Sequence, residues 1–228
     1  MAEGLLLVDK PAGMTSHDVV DVVRKKFGLH RVGHAGTLDP MATGLLVVLV
    51  GAATKQQRAL QGHDKVYEAT IRLGEQTDTG DAEGPCIRRA PVPTLSDDAV
   101  TRVLERFVGT LAQTPPRYSA VKVRGRPAYW WARRAQPVTL APRLVRLNRV
   151  ELLDRRDDLL RIRVECSAGT YVRSLAEAIA EQLGTVGHLA ALVRVASGPW
   201  RLTDAKPLAW IVDAAPDDVL RILRPCES

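Results

Sequence analysis

Gly33-His34-Ala35-Gly36-Thr37-Leu38-Asp39-Pro40-Met41-Ala42-Thr43-Gly44 is the densest run of chemically capable residues in the chain. Glycines at 33, 36 and 44 admit positive φ or the close approach of a ligand. Pro40 keeps Asp39 out of the helical region and so fixes an extended backbone at that carboxylate. The run leads directly into Leu45–Val50, which is wholly apolar and reads as a buried strand. A carboxylate at the mouth of such a strand is desolvated and stays charged only with a cationic or hydrogen-bonding partner. Asp39 is therefore a candidate for catalysis. The plainer reading is an Asp-Pro turn.

A second candidate is Arg173, in Ser167-Ala168-Gly169-Thr170-Tyr171-Val172-Arg173, a strand-to-helix junction with Thr170 as a ready N-cap. A cation in a first helical turn opposes the helix dipole, so Arg173 calls for an anion, either a carboxylate or a phosphate. Tyr67 lies on the apolar face of an alternating strand, where core packing is the ordinary role. Metal chemistry fits poorly. His30 and His34 are four apart, but Gly33 and Gly36 argue against a helix there and no third ligand has suitable spacing. Asp78, Asp81 and Glu83 fall at positions 1, 4 and 6 of their loop, not the 1, 3, 5 of a calcium loop, and read as an Asx-stabilised turn. No serine-nucleophile elbow, phosphate loop or dinucleotide fingerprint is present.

The charge distribution points to a polyanion. Met1–Ala90 holds eleven basic and eleven acidic residues, whereas the stretch from Arg117 to Arg149 holds nine cations and no acid. Those cations are Arg117, Lys122, Arg124, Arg126, Arg133, Arg134, Arg143, Arg146 and Arg149, with Tyr118, Tyr129, Trp130 and Trp131 interleaved. A solvated basic face is the bland alternative, but unrelieved repulsion destabilises unless an anion answers it. Arginine suits bidentate phosphate contact and stacking, so nucleic acid is the favoured partner. The net charge of +6 over 228 residues is modest, and 46% hydrophobic with 25% charged residues describes an ordinary folded chain.

Cys86, Cys166 and Cys226 form no Cys-x-x-Cys pair and fit a reducing compartment better than a disulfide framework. Leu5–Val8 is too short for a signal sequence, and Leu45–Val50 is far below the ~20 residues of a membrane helix, so a cytoplasmic protein is expected.

The elements needed to position these residues are legible in outline. A strand Gly4–Asp9 turns at Lys10-Pro11-Ala12-Gly13 into a helix capped by Ser16, with Val19, Val20, Val22, Val23 and Phe27 as its apolar face and Gly28 as its stop. Gly33–Gly44 reads as a loop, followed by a short helix around Thr54–Gln61. Lys65–Gly74 alternates as a half-buried strand, and Glu75–Pro93 reads as a loop. Ser96 caps a helix whose stripe is Val100, Val103, Leu104, Phe107 and Val108. Strands follow near Arg143–Leu153 and Leu159–Cys166, then a helix Tyr171–Leu183, a strand Leu189–Val195 and a short C-terminal helix. Irregular alternation favours α+β over a doubly wound sheet. No linker is visible, so one catalytic domain over residues 1–228 is expected, with a short C-terminal extension from about 205.

Together these segments resemble the TruB family of bacterial tRNA pseudouridine synthases. The resemblance covers about Gly4 to Trp200. It rests on Leu7-Val8-Asp9-Lys10-Pro11-Ala12-Gly13-Met14-Thr15-Ser16, the run Gly33–Gly44, Thr54-Lys55, Lys65-Val66-Tyr67, and Leu73-Gly74 leading to Thr77-Asp78-Thr79-Gly80-Asp81. Pro116, Tyr118-Ser119-Ala120-Val121-Lys122 and Gly169-Thr170-Tyr171-Val172-Arg173 continue it. It implies a mixed, largely antiparallel central sheet flanked by helices with a basic RNA-binding cleft, and neither metal nor organic cofactor. It implies isomerisation of the T-loop uridine at tRNA position 55, with Asp39 as the essential aspartate and Arg173 as its paired arginine.

The same resemblance makes Tyr67 the tyrosine that stacks on the uracil, His34 the histidine that fills the space left by the flipped base, and Asp81 a hydrogen-bonding group near that base. Lys55, Lys122 and Tyr171 fall on the substrate side, and Arg124, Arg126, Arg133, Arg134, Arg143 and Arg146 form the RNA-binding surface. The implied partner is the tRNA T-arm, the expected state a monomer, and no membrane is involved. Two departures stand out. Where the family shows Leu-Arg-Arg before Gly-x-Phe, this chain has Leu192-Val193-Arg194 and Gly198-Pro199-Trp200. After Pro207 too few residues remain for the PUA-type domain of many members. A guide-directed pseudouridine synthase subunit and a non-catalytic tRNA-binding or folding protein are the alternatives.

Overall fold

The computed structural model describes residues 3–226, so Met1 and Ala2, at the start of the segment read as lacking a signal sequence, lie outside it. The described residues fall into two compact units: one up to Tyr67 and from Leu192 onward, the other Glu68–Ala191. The first unit begins with β1 (Gly4–Lys10), α1 (Ser16–Phe27), β2 (Val32–His34) and β3 (Thr43–Val50), then a 3₁₀ turn Gly51–Gln56 and α2 (Gln57–Gln61). β4 (Lys65–Leu73) carries the chain into the second unit. That unit continues with β5 (Glu75–Thr77), β6 (Cys86–Arg89), α3 (Asp97–Glu105), β7 (Gly109–Gln113), β8 (Lys122–Val123) and β9 (Arg126–Pro127). Next come α4 (Ala128–Ala132), β10 (Arg143–Arg156), β11 (Leu159–Cys166) and α5 (Val172–Gln182). β12 (Gly187–Ser197) returns to the first unit, which ends with β13 (Trp200–Arg201), β14 (Lys206–Pro207), α6 (Leu208–Asp213) and α7 (Pro216–Arg221).

In the first unit β1 and β3 pair antiparallel along their whole length, from Gly4 opposite Val50 to Lys10 opposite Gly44. Gly4–Val8 of β1 and Gly44–Val50 of β3 are apolar without alternation, as strands covered on two faces must be, and every residue from Leu45 to Val50 is buried. The other edge of β3 pairs with β12 in parallel at its start (Arg194 opposite Gly44) and with β2 at its end (His34 opposite Val48). α1 buries Val19, Val20 and Val23 and stops at Gly28 in the left-handed conformation. Its cap is Thr15, not the expected Ser16. The Thr15 hydroxyl accepts from the Asp18 amide while the Asp18 carboxylate accepts from the Thr15 amide. This capping box closes the first turn and frees Ser16 to face inward.

In the second unit β4, β11, β10 and β7 lie in that order, and β10 is antiparallel to both β11 and β7. β4 alternates as its sequence predicts, burying Tyr67, Ala69, Ile71 and Leu73. Ser96 caps α3 by accepting from the Ala99 amide, and α3 and α5 bury Val100, Leu104, Leu175 and Ile179. α3 ends at Glu105, so Phe107 and Val108 lie beyond it, and Val108 is exposed. Glu75–Pro93 is not all loop, because β5 and β6 pair within it. Every residue of β6 is exposed, which removes the apolar periodicity by which a strand is recognised. Tyr171, not Thr170, occupies the N-cap position of α5, and the Thr170 hydroxyl donates to Ser167 O (2.9 Å). The mostly antiparallel strands with flanking helices make this an α+β fold, as expected. No helix among the described residues is long and apolar enough to cross a membrane.

Candidate active site and nucleic-acid interface

Asp39 sits half-buried in the loop between β2 and β3, and every backbone carbonyl from Gly36 to Pro40 in that loop is hydrogen-bonded. Arg194 donates to Gly36 O (3.1 Å), Thr37 O (3.4 Å) and Leu45 O (2.6 Å). The Ser16 hydroxyl donates to Leu38 O (3.2 Å) and accepts from the Leu38 amide (2.8 Å). Asp39 O accepts from the Ala42 amide (3.1 Å), and Pro40 O accepts from the Gly13 amide (2.9 Å) and Lys10 Nζ (3.2 Å). Lys10 also donates to Pro11 O (2.8 Å) and Met14 O (2.6 Å). A loop without a ladder must satisfy its backbone this way. Here the partners are drawn from β1, α1 and β12, so Asp39 is presented from a fixed backbone.

Sequence reasoning gave no role in this loop to Lys10, Ser16 or Arg194. Lys10 and Arg194 are among the largest fully buried side chains of the chain. The available signal was a basic residue in an otherwise apolar strand, Arg194 between Leu192-Val193 and Val195-Ala196. His34 ends β2, and its carbonyl accepts from Gln57 Nε2 (3.1 Å). Burial, then the Arg194 guanidinium, push its imidazole pKa down and favour a neutral ring. Tyr67 is buried on the core-facing side of β4. Lys55 is exposed and lines a cleft of about 400 Å³ together with His30, Arg31, Thr54 and Gln57, with no acidic residue among the lining.

In the second unit the structure brings Arg173 and Asp81 together. Arg173, in the first turn of α5, donates to Thr79 O (2.9 Å) and Tyr118 O (2.9 Å) and lies 3.6 Å from the Asp81 carboxylate. Both side chains are only 6% exposed, so their attraction is little screened. Asp81 also accepts from the Thr79 hydroxyl and the Glu83 amide. Within this unit Asp81 is the anion that a cation at a helix N-terminus demands. Tyr171 exchanges both backbone hydrogen bonds with the Gln113 side chain (2.8 and 3.0 Å), which ties α5 to β7. Glu177, one turn beyond Arg173, is half-buried. Burial raises its carboxyl pKa against the opposing pull of Gln76 and Arg173.

The basic stretch folds around an aromatic spine. β8 and β9 form a hairpin whose turn residues Arg124 (φ 50°) and Gly125 (φ 77°) are both left-handed, the geometry of a tight two-residue hairpin turn. Lys122, Arg124 and Arg126 of the hairpin are exposed, and α4 follows at once. Arg134 stacks 3.7 Å from the Trp130 ring centre, Arg126 lies 5.6 Å from it, Arg124 is 5.9 Å from Trp131, and Arg133 is 5.4 Å from Tyr129. Trp131 Nε1 donates to Val123 O (3.0 Å), locking helix to hairpin. Arg143 and Arg146 are exposed on β10. Two cations are answered from outside the stretch: Arg117 by Asp78 (3.1 Å) and Arg149 by Glu151 (2.6 Å). Among the described residues Arg124, Arg126, Arg133, Arg134 and Arg143 pair with no carboxylate. An uncompensated array of guanidiniums is suited to phosphate.

Residues 24–172 match the model described as TruB family pseudouridylate synthase (N terminal domain). The chain is 44% identical over 228 residues to tRNA pseudouridine synthase B of Aromatoleum aromaticum, covering all of this chain and 74% of the relative. It is 45% identical over 206 residues to the protein of that name from Opitutus terrae (90% of this chain, 86% of the relative). With that of Mycobacterium tuberculosis the identity is 48% over 209 residues (90% and 70%). Among solved structures it is similar to a chain of a Cbf5-Nop10-Gar1 complex, at a TM-score of 0.74 and 29% identity over 97% of this chain. It spans about 60% of that chain.

Proposed function

We propose that this chain, which belongs to the TruB family of pseudouridylate synthases, isomerises a uridine of tRNA to pseudouridine, its target being the T-loop uridine at position 55. The glycosidic bond from C1′ to N1 breaks, the uracil turns, and C1′ bonds to C5. C5 loses its hydrogen as a proton while N1 gains one, so the reaction balances without an oxidant or co-substrate. The observation that carries this reading is the Asp39 loop. A half-buried carboxylate stands on a backbone whose flanking carbonyls are all bonded, the preorganisation that a reaction at a sugar–base bond requires.

Asp39 is the essential carboxylate, and Tyr67 and Arg173 act in catalysis with it. His34 and Asp81 serve the flipped base, and Lys55, Lys122, Tyr171 and the arginine array hold the T-arm. The protein works as a monomer in the cytoplasm on free tRNA. The likeness to Cbf5, which is seen in complexes with Nop10, favours a guide-directed enzyme as the second reading, though curated relatives at 44% and 48% identity bear the name of the tRNA enzyme. The test is incubation with an unmodified T-arm stem-loop carrying tritium at uracil C5. Release of tritium to water, with pseudouridine mapped to the T-loop position, is expected. No release from a folded, RNA-binding preparation refutes the assignment.

A further inference from the structure

Arg194 is 1% exposed and is held by three backbone carbonyls, and among the described residues it pairs with no carboxylate. Its strand pattern would accept an aliphatic residue there, and burying an uncompensated guanidinium costs stability. What the cation holds accounts for its presence. Gly36 O and Thr37 O lie on the N-terminal arm of the Asp39 loop, and Leu45 O lies in β3, the strand into which that loop leads. One planar, five-donor group thus joins the loop to the strand that follows it, a geometry that a single ammonium cannot reproduce.

Two glycines fit around this residue, Gly36 in the loop and Gly44 near the start of β3. Gly44 has φ +96°, and a Cβ on it would lie 2.5 Å from the Arg194 carbonyl oxygen. Gly36 has φ +103°, and a Cβ there would stand 3.6 Å from the guanidinium. We infer that Arg194 is a positioning residue for Asp39: a buried clamp that ties the N-terminal arm of the catalytic loop to β3 and never touches RNA. This rests on the reading of Asp39 as the catalytic carboxylate.

The test compares the parent with Arg194→Lys and Arg194→Met in three measurements: melting temperature, tRNA affinity, and single-turnover rate at saturating enzyme well below every melting point. Arg194→Met is expected to slow the rate by about 100-fold, the scale of a displacement near 1 Å, with affinity within about three-fold of the parent. Arg194→Lys is expected to stay folded and recover only part of the rate. Amide exchange adds a readout that needs no substrate: the Leu38 and Ala42 amides exchange faster in both variants while those of β1 do not.

Rates within three-fold of the parent for a folded variant overturn the proposal, as does a loss confined to affinity. A rate loss matched by the unfolded fraction likewise overturns it. Should the parent itself prove inactive on tRNA while the loop amides still loosen, the clamp stands and the assigned reaction falls.

Discussion

Ser16→Ala separates two accounts of the first helix. If Ser16 were its cap, the substitution would cost about 1 kcal/mol and leave the Asp39 loop untouched. In the structure Ser16 is 1% exposed, and its hydroxyl satisfies both polar groups of Leu38, the residue preceding Asp39. Removing it leaves a buried N–H and a buried C=O unpaired, each costing about 1–3 kcal/mol. The expected loss is therefore about 2–6 kcal/mol, or roughly 4–24 °C in melting temperature for a chain of this size. Because the strain falls beside Asp39, single-turnover rate should drop by at least about ten-fold with tRNA affinity unchanged. Thr15→Ala supplies the control. It removes the true, exposed cap and should cost about 1 kcal/mol with no change in rate. Urea unfolding and single-turnover assays on both variants decide the matter. A Ser16→Ala protein within 0.5 kcal/mol of the parent (about the size of an ordinary surface change) and equally fast would refute this account of how the loop is held.

Two further outcomes follow from the second unit. Trp130→Ala removes the ring on which Arg134 and Arg126 rest. tRNA affinity should fall roughly three- to ten-fold, and the salt dependence of binding should flatten by about one phosphate contact, as titrations at several salt concentrations would show. Burial holds the Glu177 carboxyl above its ordinary value, so the folded state resists its ionisation. The favourable contribution of the protonated form exists below the unfolded carboxylate range and is lost as pH rises through the higher folded value. Glu177→Gln should therefore raise the melting temperature at pH 8, and the gain should vanish near pH 4.

The sequence made the supporting frame legible wherever burial follows a period. β3 is apolar throughout, β4 alternates, and the Ser96 cap and Gly28 stop carry their own signatures. Asp39 was visible because glycines, a proline and an apolar strand surround it. The residues that hold its loop were not, since their partners are carbonyls with no side-chain signature, and Arg194 reaches Leu45 across 149 positions. The arginine array was visible as composition, but its aromatic spine emerges only when α4 folds against the hairpin. Arg117 and Arg149 looked equally free in the sequence, yet Asp78 and Glu151 neutralise them.

The most direct measurement compares Asp39→Asn with the parent on an unmodified T-arm stem-loop under single-turnover conditions, alongside RNA affinity. Binding within a few-fold of the parent and no detectable pseudouridine are expected. Turnover near the parental rate in the folded Asn variant would contradict Asp39 as the essential carboxylate.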